Sequence, residues 1–321
     1  MRLLLILTSL LALIWSGYWI VFSVKLKSEV SDFLESYNSE ERLIDYSNIS
    51  IKGFPNRFDI TVNELNIKNE DSKINWFLPY FQILSLSYKP NHLILVFPNT
   101  QILQNGKNKI IFNSNEMLAS LSFMDYKFSE LDQFILSIEN SEIKASERII
   151  LNTTALNFAI KQSKTLEGDY HLGFRGNNIK LNTTETNSEY KLLENNLNLV
   201  LHAEITLEEL YSFSNKKMPK IKTLNIKALD LKSSNFNVTG TGKAFFNNNI
   251  LEDGILNIKI ENWRGFFNTP LQNNGKFKLG LELIETITGN DEILDLNLKI
   301  EDGNVYLGPV FIGSLENMLK Q

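Results

Sequence analysis

The chain has 321 residues, no cysteine and a formal net charge of −5, with acidic and basic side chains interspersed. The missing thiols exclude disulfides, thiolate nucleophiles, zinc–cysteine centres and iron–sulfur clusters, and the lack of a basic stripe argues against a nucleic-acid partner. Roughly 300 residues beyond the first hydrophobic run are enough for one large or two ordinary domains.

The run from Leu3 to Val24 carries no charge, with Arg2 before it and Lys25 after it. About 20 such residues, rising ~1.5 Å each, cross the roughly 30 Å hydrocarbon layer of a bilayer. A cleaved signal has a shorter apolar core and a small-x-small cleavage site. Here Tyr18-Trp19-Ile20-Val21-Phe22-Ser23-Val24 offers no such site. The sequence therefore predicts an uncleaved transmembrane anchor over 1–23. Trp15, Tyr18 and Trp19 suit an interfacial aromatic belt at its far end. Arg2 and the terminal amine nearly balance Lys25 and Lys27, and a short segment ahead of a first span tends to stay cytoplasmic, which leaves the bulk of the chain outside the cytoplasm.

Leu26, Val30, Phe33, Leu34 and Tyr37 form one stripe at helical spacing. This predicts an amphipathic helix within 24–40 that packs on the following domain, because its polar face is acidic. From about residue 42 the period changes to two. Ile49 and Ile51, then Phe58, Ile60 and Val62, then Leu65 and Ile67 alternate with polar residues. Similar runs recur at 84–88, 93–97, 118–123, 134–138, 197–205, 224–231, 236–238, 255–260, 277–283 and 294–300. Turn signals separate them at Gly53-Phe54-Pro55-Asn56, Asn105-Gly106, Glu167-Gly168-Asp169, Asp253-Gly254 and Asp302-Gly303. Thr206 and Glu209 form a capping box ahead of a short helix that Pro219 follows. Short helical turns are expected at 263–267 and 315–319. The fold class is mainly β (β-rich α+β): a long antiparallel sheet as a sandwich, an open trough or a barrel-like body. Its expected division is 41–215 and 216–321.

Chemistry-bearing groups are sparse. His92, His171 and His202 form no metal-ligand pair, and no nucleophile elbow occurs. His202 alternates with apolar neighbours and reads as a strand residue on a polar face. Thr239-Gly240-Thr241-Gly242-Lys243 lacks the spacing and the following Ser or Thr of a phosphate loop, and reads as a strand whose glycines allow close sheet packing. The carboxylate pairs Glu40-Glu41, Asp291-Glu292 and Glu301-Asp302 are adjacent, so on a strand their members face opposite ways. No catalytic, metal or cofactor-binding residue is assigned, no cofactor is expected, and the expectation is a protein that is not an enzyme.

Three stretches together carry a family resemblance: Gly53-Phe54-Pro55-Asn56-Arg57-Phe58-Asp59, then Ser87-Tyr88-Lys89-Pro90-Asn91-His92-Leu93-Ile94, and Ile300 to Val310 near the C-terminus. With the N-terminal anchor, the chain resembles the domain of unknown function 2125 family of uncharacterised Gram-negative envelope proteins. Asn56 departs from the aromatic residue expected after the proline. The family brings no established activity. Val238-Thr239-Gly240-Thr241-Gly242 and Asp253-Gly254-Ile255-Leu256 are also similar to sheet segments of the AsmA-like group. That likeness implies a single-pass inner-membrane anchor, a periplasmic β-rich body and a part in moving lipid. Read apart from the resemblance, Phe54 and Phe58 are expected as core residues, and Arg57 with Asp59, at i and i+2 on one side of a strand, as a surface ion pair.

The leading expectation is a non-enzymatic envelope protein whose sheet binds or transfers lipid. The alternatives are a scaffold that pairs with envelope proteins through strand edges and a hydrolase of envelope polymers. An open trough and a covered core produce the same alternation.

Overall fold

The computed structural model describes residues 1–39, 42–69, 71–106, 108–125, 130–145, 148–163, 168–181, 196–208, 219–263 and 292–315. One helix, α1 (Arg2–Glu35), is continuous through the anchor and the amphipathic segment. Everything after it in the described residues is organised around an 18-stranded antiparallel sheet.

The first strands are β1 (Arg42–Asp45), β2 (Asn48–Lys52), β3 (Arg57–Asn69) and β4 (Ile74–Leu86). Both β1 and β2 pair with β3, end to end along its length. Next come β5 (Lys89–Val96), β6 (Thr100–Asn105), β7 (Asn108–Asn113), β8 (Glu116–Phe123) and β9 (Leu131–Ala145). Pro98 interrupts the line between β5 and β6, and proline cannot donate to a ladder. Their two halves pair with the two halves of β4, and β7 and β8 divide β9 in the same way.

From β9 the chain is a plain meander. It runs through β10 (Arg148–Gln162), β11 (Asp169–Leu181), β12 (Leu197–Leu207), β13 (Ile221–Lys232) and β14 (Asn237–Asn247). It ends with β15 (Ile250–Glu261), β16 (Ile293–Glu301), β17 (Asn304–Leu307) and β18 (Val310–Ser314). Each of these strands pairs antiparallel with its neighbours in sequence. Among the described residues no register joins β1 or β2 to β18, so over those residues the sheet is open.

The turns follow local chemistry. Gly53 takes φ +102° and Arg57 N–H donates to the Gly53 carbonyl, closing the turn around the cis Phe54–Pro55 bond. Asn105-Gly106 and Asp302-Gly303 are hairpin turns as expected, with Gly106, Asp302 and Gly303 all at positive φ. Asp253-Gly254 is not a turn. It lies inside β15, and the hairpin bends instead at Asn248 and Asn249, both at positive φ. Gly254 answers to strand packing, since a β-carbon there would stand 2.9 Å from the Lys243 carbonyl oxygen.

Several sequence expectations fall outside the described residues: the strand at 277–283, Glu40-Glu41, Asp291, and the helical turns beyond Trp263 and Leu315. The helix after Thr206 and the boundary near residue 215 fall there too. Thr206 itself lies in β12, and β12 and β13 pair directly on either side of that segment.

The core is not one mass. Ile49, Ile60, Val62, Leu65 and Leu78 form a cluster against which Leu26, Val30 and Leu34 of α1 pack. Phe33 belongs to the predicted stripe but is 57 % exposed. It stacks edge-on with Tyr37 at 4.9 Å, because α1 meets the sheet along the line of residues four apart. A second cluster joins Leu121, Phe123 and Leu131. A third, around Trp263, Phe236 and Leu294, lies at the far end of the sheet.

Candidate functional site

Period-two alternation places every second side chain on one face, and antiparallel registers carry that choice from strand to strand. Ile51 of β2 stands opposite Ile60, which stands opposite Ile83, then Leu95 and Ala119. The row continues through Leu136, Phe158, Phe174, Leu201 and Leu229. It closes with Gly240, Ile258 and Leu296. No polar side chain interrupts it from β2 to β16. With strands about 4.8 Å apart, the row is on the order of 55–60 Å long. A neighbouring row, from Leu121 through Phe134, Ile160 and Leu172 to Ala203 and Ile226, is equally apolar.

The opposite face reads differently. One residue along, the row Thr61, Gln82, Val96, Leu118, Ser137 and Asn157 continues to Arg175, Val200, Asp230, Thr239, Lys259 and Asp295. The sheet therefore has one mixed, solvated face and one apolar face.

α1 covers the apolar face only over its first strands. Between the second and third clusters, Leu136, Phe158, Phe174, Leu201 and Leu229 are each only partly buried. Gly240 and Gly242 lie at the floor of this face. A β-carbon on Gly242 would meet the Ile255 carbonyl oxygen at 2.7 Å, so this glycine serves close strand approach, whereas one on Gly240 would come no nearer than 3.4 Å to any atom. Lys243 stands on the other face with its ammonium 4.9 Å from the Phe245 ring centre. That places the lysine away from any phosphate cradle.

The titratable groups are dispersed on the polar face. His202 is exposed in β12, opposite Ala228. His171 pairs in register with Glu204, its Nδ1 3.9 Å from the carboxylate. Lys227 donates to Glu204 at 2.8 Å and Asn225 at 3.3 Å. The Lys227 hydrogen bond leads in holding the Glu204 carboxyl below its ordinary range, although some desolvation opposes it. His92 bridges the hydroxyls of Ser120 and Ser122 on β8. Glu301 is paired with Lys299 and Arg57 with Asp59. Phe58 is buried, but Phe54 is 53 % exposed, which corrects its expected place in the core. Among the described residues no three His, Asp or Glu side chains gather as a metal site.

Two depressions lie along the sheet. One of about 600 Å³ is lined by Asp230, Thr239, Asn257 and Asp295 together with Leu229, Gly240, Ile258 and Leu296 of the apolar row. The other, about 480 Å³, follows a line of sheet irregularities at Asn140, Thr153 and Asn178. Thr153 there donates to the Asn177 carbonyl and Asn178 to Thr154. Both are open and solvated, and neither brings a nucleophile to a base. The feature that sequence reading could not resolve is the exposure of the apolar face, for which alternation alone carries no signal.

A family model described as an uncharacterized protein conserved in bacteria, DUF2125, matches residues 19–316. No curated protein and no solved structure matches the chain.

Proposed function

The chain belongs to the DUF2125 family of uncharacterized bacterial proteins, and from that premise we propose that it is a membrane-anchored periplasmic envelope protein, not an enzyme, whose sheet binds or transfers lipid. α1 is long and apolar enough to cross a membrane. The observation that carries the reading is the uninterrupted apolar row from Ile51 to Leu296, which α1 covers over the first strands and which is only partly buried at its centre, where no described element lies over it. An acyl chain laid along it gains ~0.8 kcal/mol per buried CH₂, so ten methylenes supply about 8 kcal/mol before ordering costs. The polar headgroup needs no pocket of its own, because the trough is open to water along one side.

The test is native mass spectrometry of gently extracted full-length protein, alongside a Phe174→Glu/Leu201→Glu variant that sets two carboxylates at mid-row. Wild type is expected to carry lipid and the variant to lose it while its far-UV circular dichroism stays unchanged. Lipid-free wild type, or a variant that retains the same lipid, removes the reading.

A second reading has its own observation. β18 pairs with β17 on one side only among the described residues, and Val310, Phe311 and Ile312 on it are 50 %, 56 % and 45 % exposed. Such an edge suits pairing with an envelope partner. Crosslinking from position 312 to one defined protein, with no lipid on the purified chain, would favour that role.

A further inference from the structure

α1 runs alongside β3, and the two are tied at one end of the strands. Trp15 Nε1 donates to the Pro55 carbonyl at 3.0 Å and Trp19 Nε1 to the Arg57 carbonyl at 2.9 Å. The Trp19 ring stacks on Phe58 at 5.6 Å and meets Phe54 edge-on at 5.6 Å. Only residues 2–14 of the helix project freely past this turn, and they rise about 20 Å. A bilayer's hydrocarbon layer is roughly 30 Å thick. The missing length must come from residues 15–22, which are the ones bound to the turn.

We infer that this end of the sheet is itself a membrane-contact surface, seated at interfacial depth in the same bilayer that α1 crosses. The turn tips at that end have the surface such a seat requires. Phe54 between β2 and β3, Tyr88 between β4 and β5, and Met124 after β8 are 53 %, 68 % and 61 % exposed. They lie side by side: Ser87 N–H and Oγ both donate to the Asn56 carbonyl, and Asn91 Nδ2 donates to the Phe123 carbonyl. Aromatic and thioether side chains suit the headgroup boundary. Lys52, Arg57 and Lys89 flank the first two tips, and Asp59 is occupied by Arg57. Asp125 and Glu130 flank the third, so the contact is chiefly apolar. Two backbone carbonyls capped by indole N–H groups also fit a zone where water is scarce. The partner is a lipid surface.

The inference rests on α1 as an anchor and not on the trough holding lipid. The native chain has no cysteine, so single cysteines can be placed in the full-length protein at Tyr88, Met124, Ile6 in the anchor and Asp71 at the opposite end of the sheet. Each carries an environment-sensitive fluorophore in vesicles of phosphatidylethanolamine and phosphatidylglycerol doped with a spin-labelled quencher lipid. Ile6→Cys is expected to be strongly quenched, Tyr88→Cys and Met124→Cys several-fold more than Asp71→Cys. If Ile6→Cys is quenched while positions 88 and 124 match 71, the contact surface is refuted and the anchor stands. If Ile6→Cys is not quenched, the anchor and the contact surface fall together, whatever the lipid content of the trough.

Discussion

A β-carbon on Gly242 would approach the Ile255 carbonyl oxygen to 2.7 Å, and this conflicts with what β propensity prefers. Glycine weakens a strand and valine strengthens one, so propensity predicts that Gly242→Val stabilises. Close backbone approach predicts the reverse, a loss of about 1–3 kcal/mol from overpacking, read as a lower urea midpoint. Glu204 offers a second test at this scale. Its carboxyl is depressed first by the Lys227 hydrogen bond. A depressed folded-state pKa contributes stability that is present above the unfolded value and lost as pH falls through the folded one. The side-chain carboxyl should therefore titrate below the ordinary glutamate range in an NMR experiment. Lys227→Ala should raise that midpoint, and its effect on stability should vanish once Glu204 is protonated. Of these features, the packing role of Gly242 was legible from its place in an alternating strand, while Gly240 has no such close contact. The His171–Glu204–Lys227 group was not legible. Its members come from three strands, and only the registers of β11, β12 and β13 bring them together.

At the scale of elements, α1 acts as the cover of the first strands. Leu26, Val30 and Leu34 meet the cluster around Ile60 and Val62, while Trp15, Trp19 and Phe22 meet the turn and start of β3. Val30→Asp sets a carboxylate into that contact and should cost about 1–3 kcal/mol. The expected readout is faster amide exchange across β2 and β3, with β13 to β16 unchanged. The helix was readable from its hydrophobic run and its four-residue spacing. Phe33 departs from the stripe because α1 lies on the sheet along one edge of it. Strands with clean alternation, such as β3 and β12, were equally readable. The asparagine-rich chain hid others, including β7 and β10. Asn-Asn serves as the hairpin turn at 248–249, whereas the stronger-looking Asp253-Gly254 is absorbed into β15 by close packing against β14.

For the whole molecule, the three apolar clusters are separate and the ladders from β9 onward join sequence neighbours only. Stability in such an arrangement is close to a sum of local and nearest-neighbour contributions. Val305 is buried in β17. Val305→Ala should loosen β17 and β18 in hydrogen-exchange mass spectrometry while protection of β9 to β11 is retained. A single sharp loss of protection along the entire sheet would contradict this. The mainly antiparallel architecture was visible in the sequence because period-two patterning dominates the chain. The open form was not, since a closed barrel writes the same alternating code, and only the unpaired outer strands tell the two apart.

An unclosed ribbon also has an adjustable span. A barrel must keep strand number, tilt and shear mutually consistent, so one more hairpin would disturb all of it. Here an added hairpin would meet a single existing strand and advance the ribbon by about 9–10 Å. A hairpin added beyond β18 would thus act as a ruler adjustment, giving relatives of graded reach with the first strands unchanged.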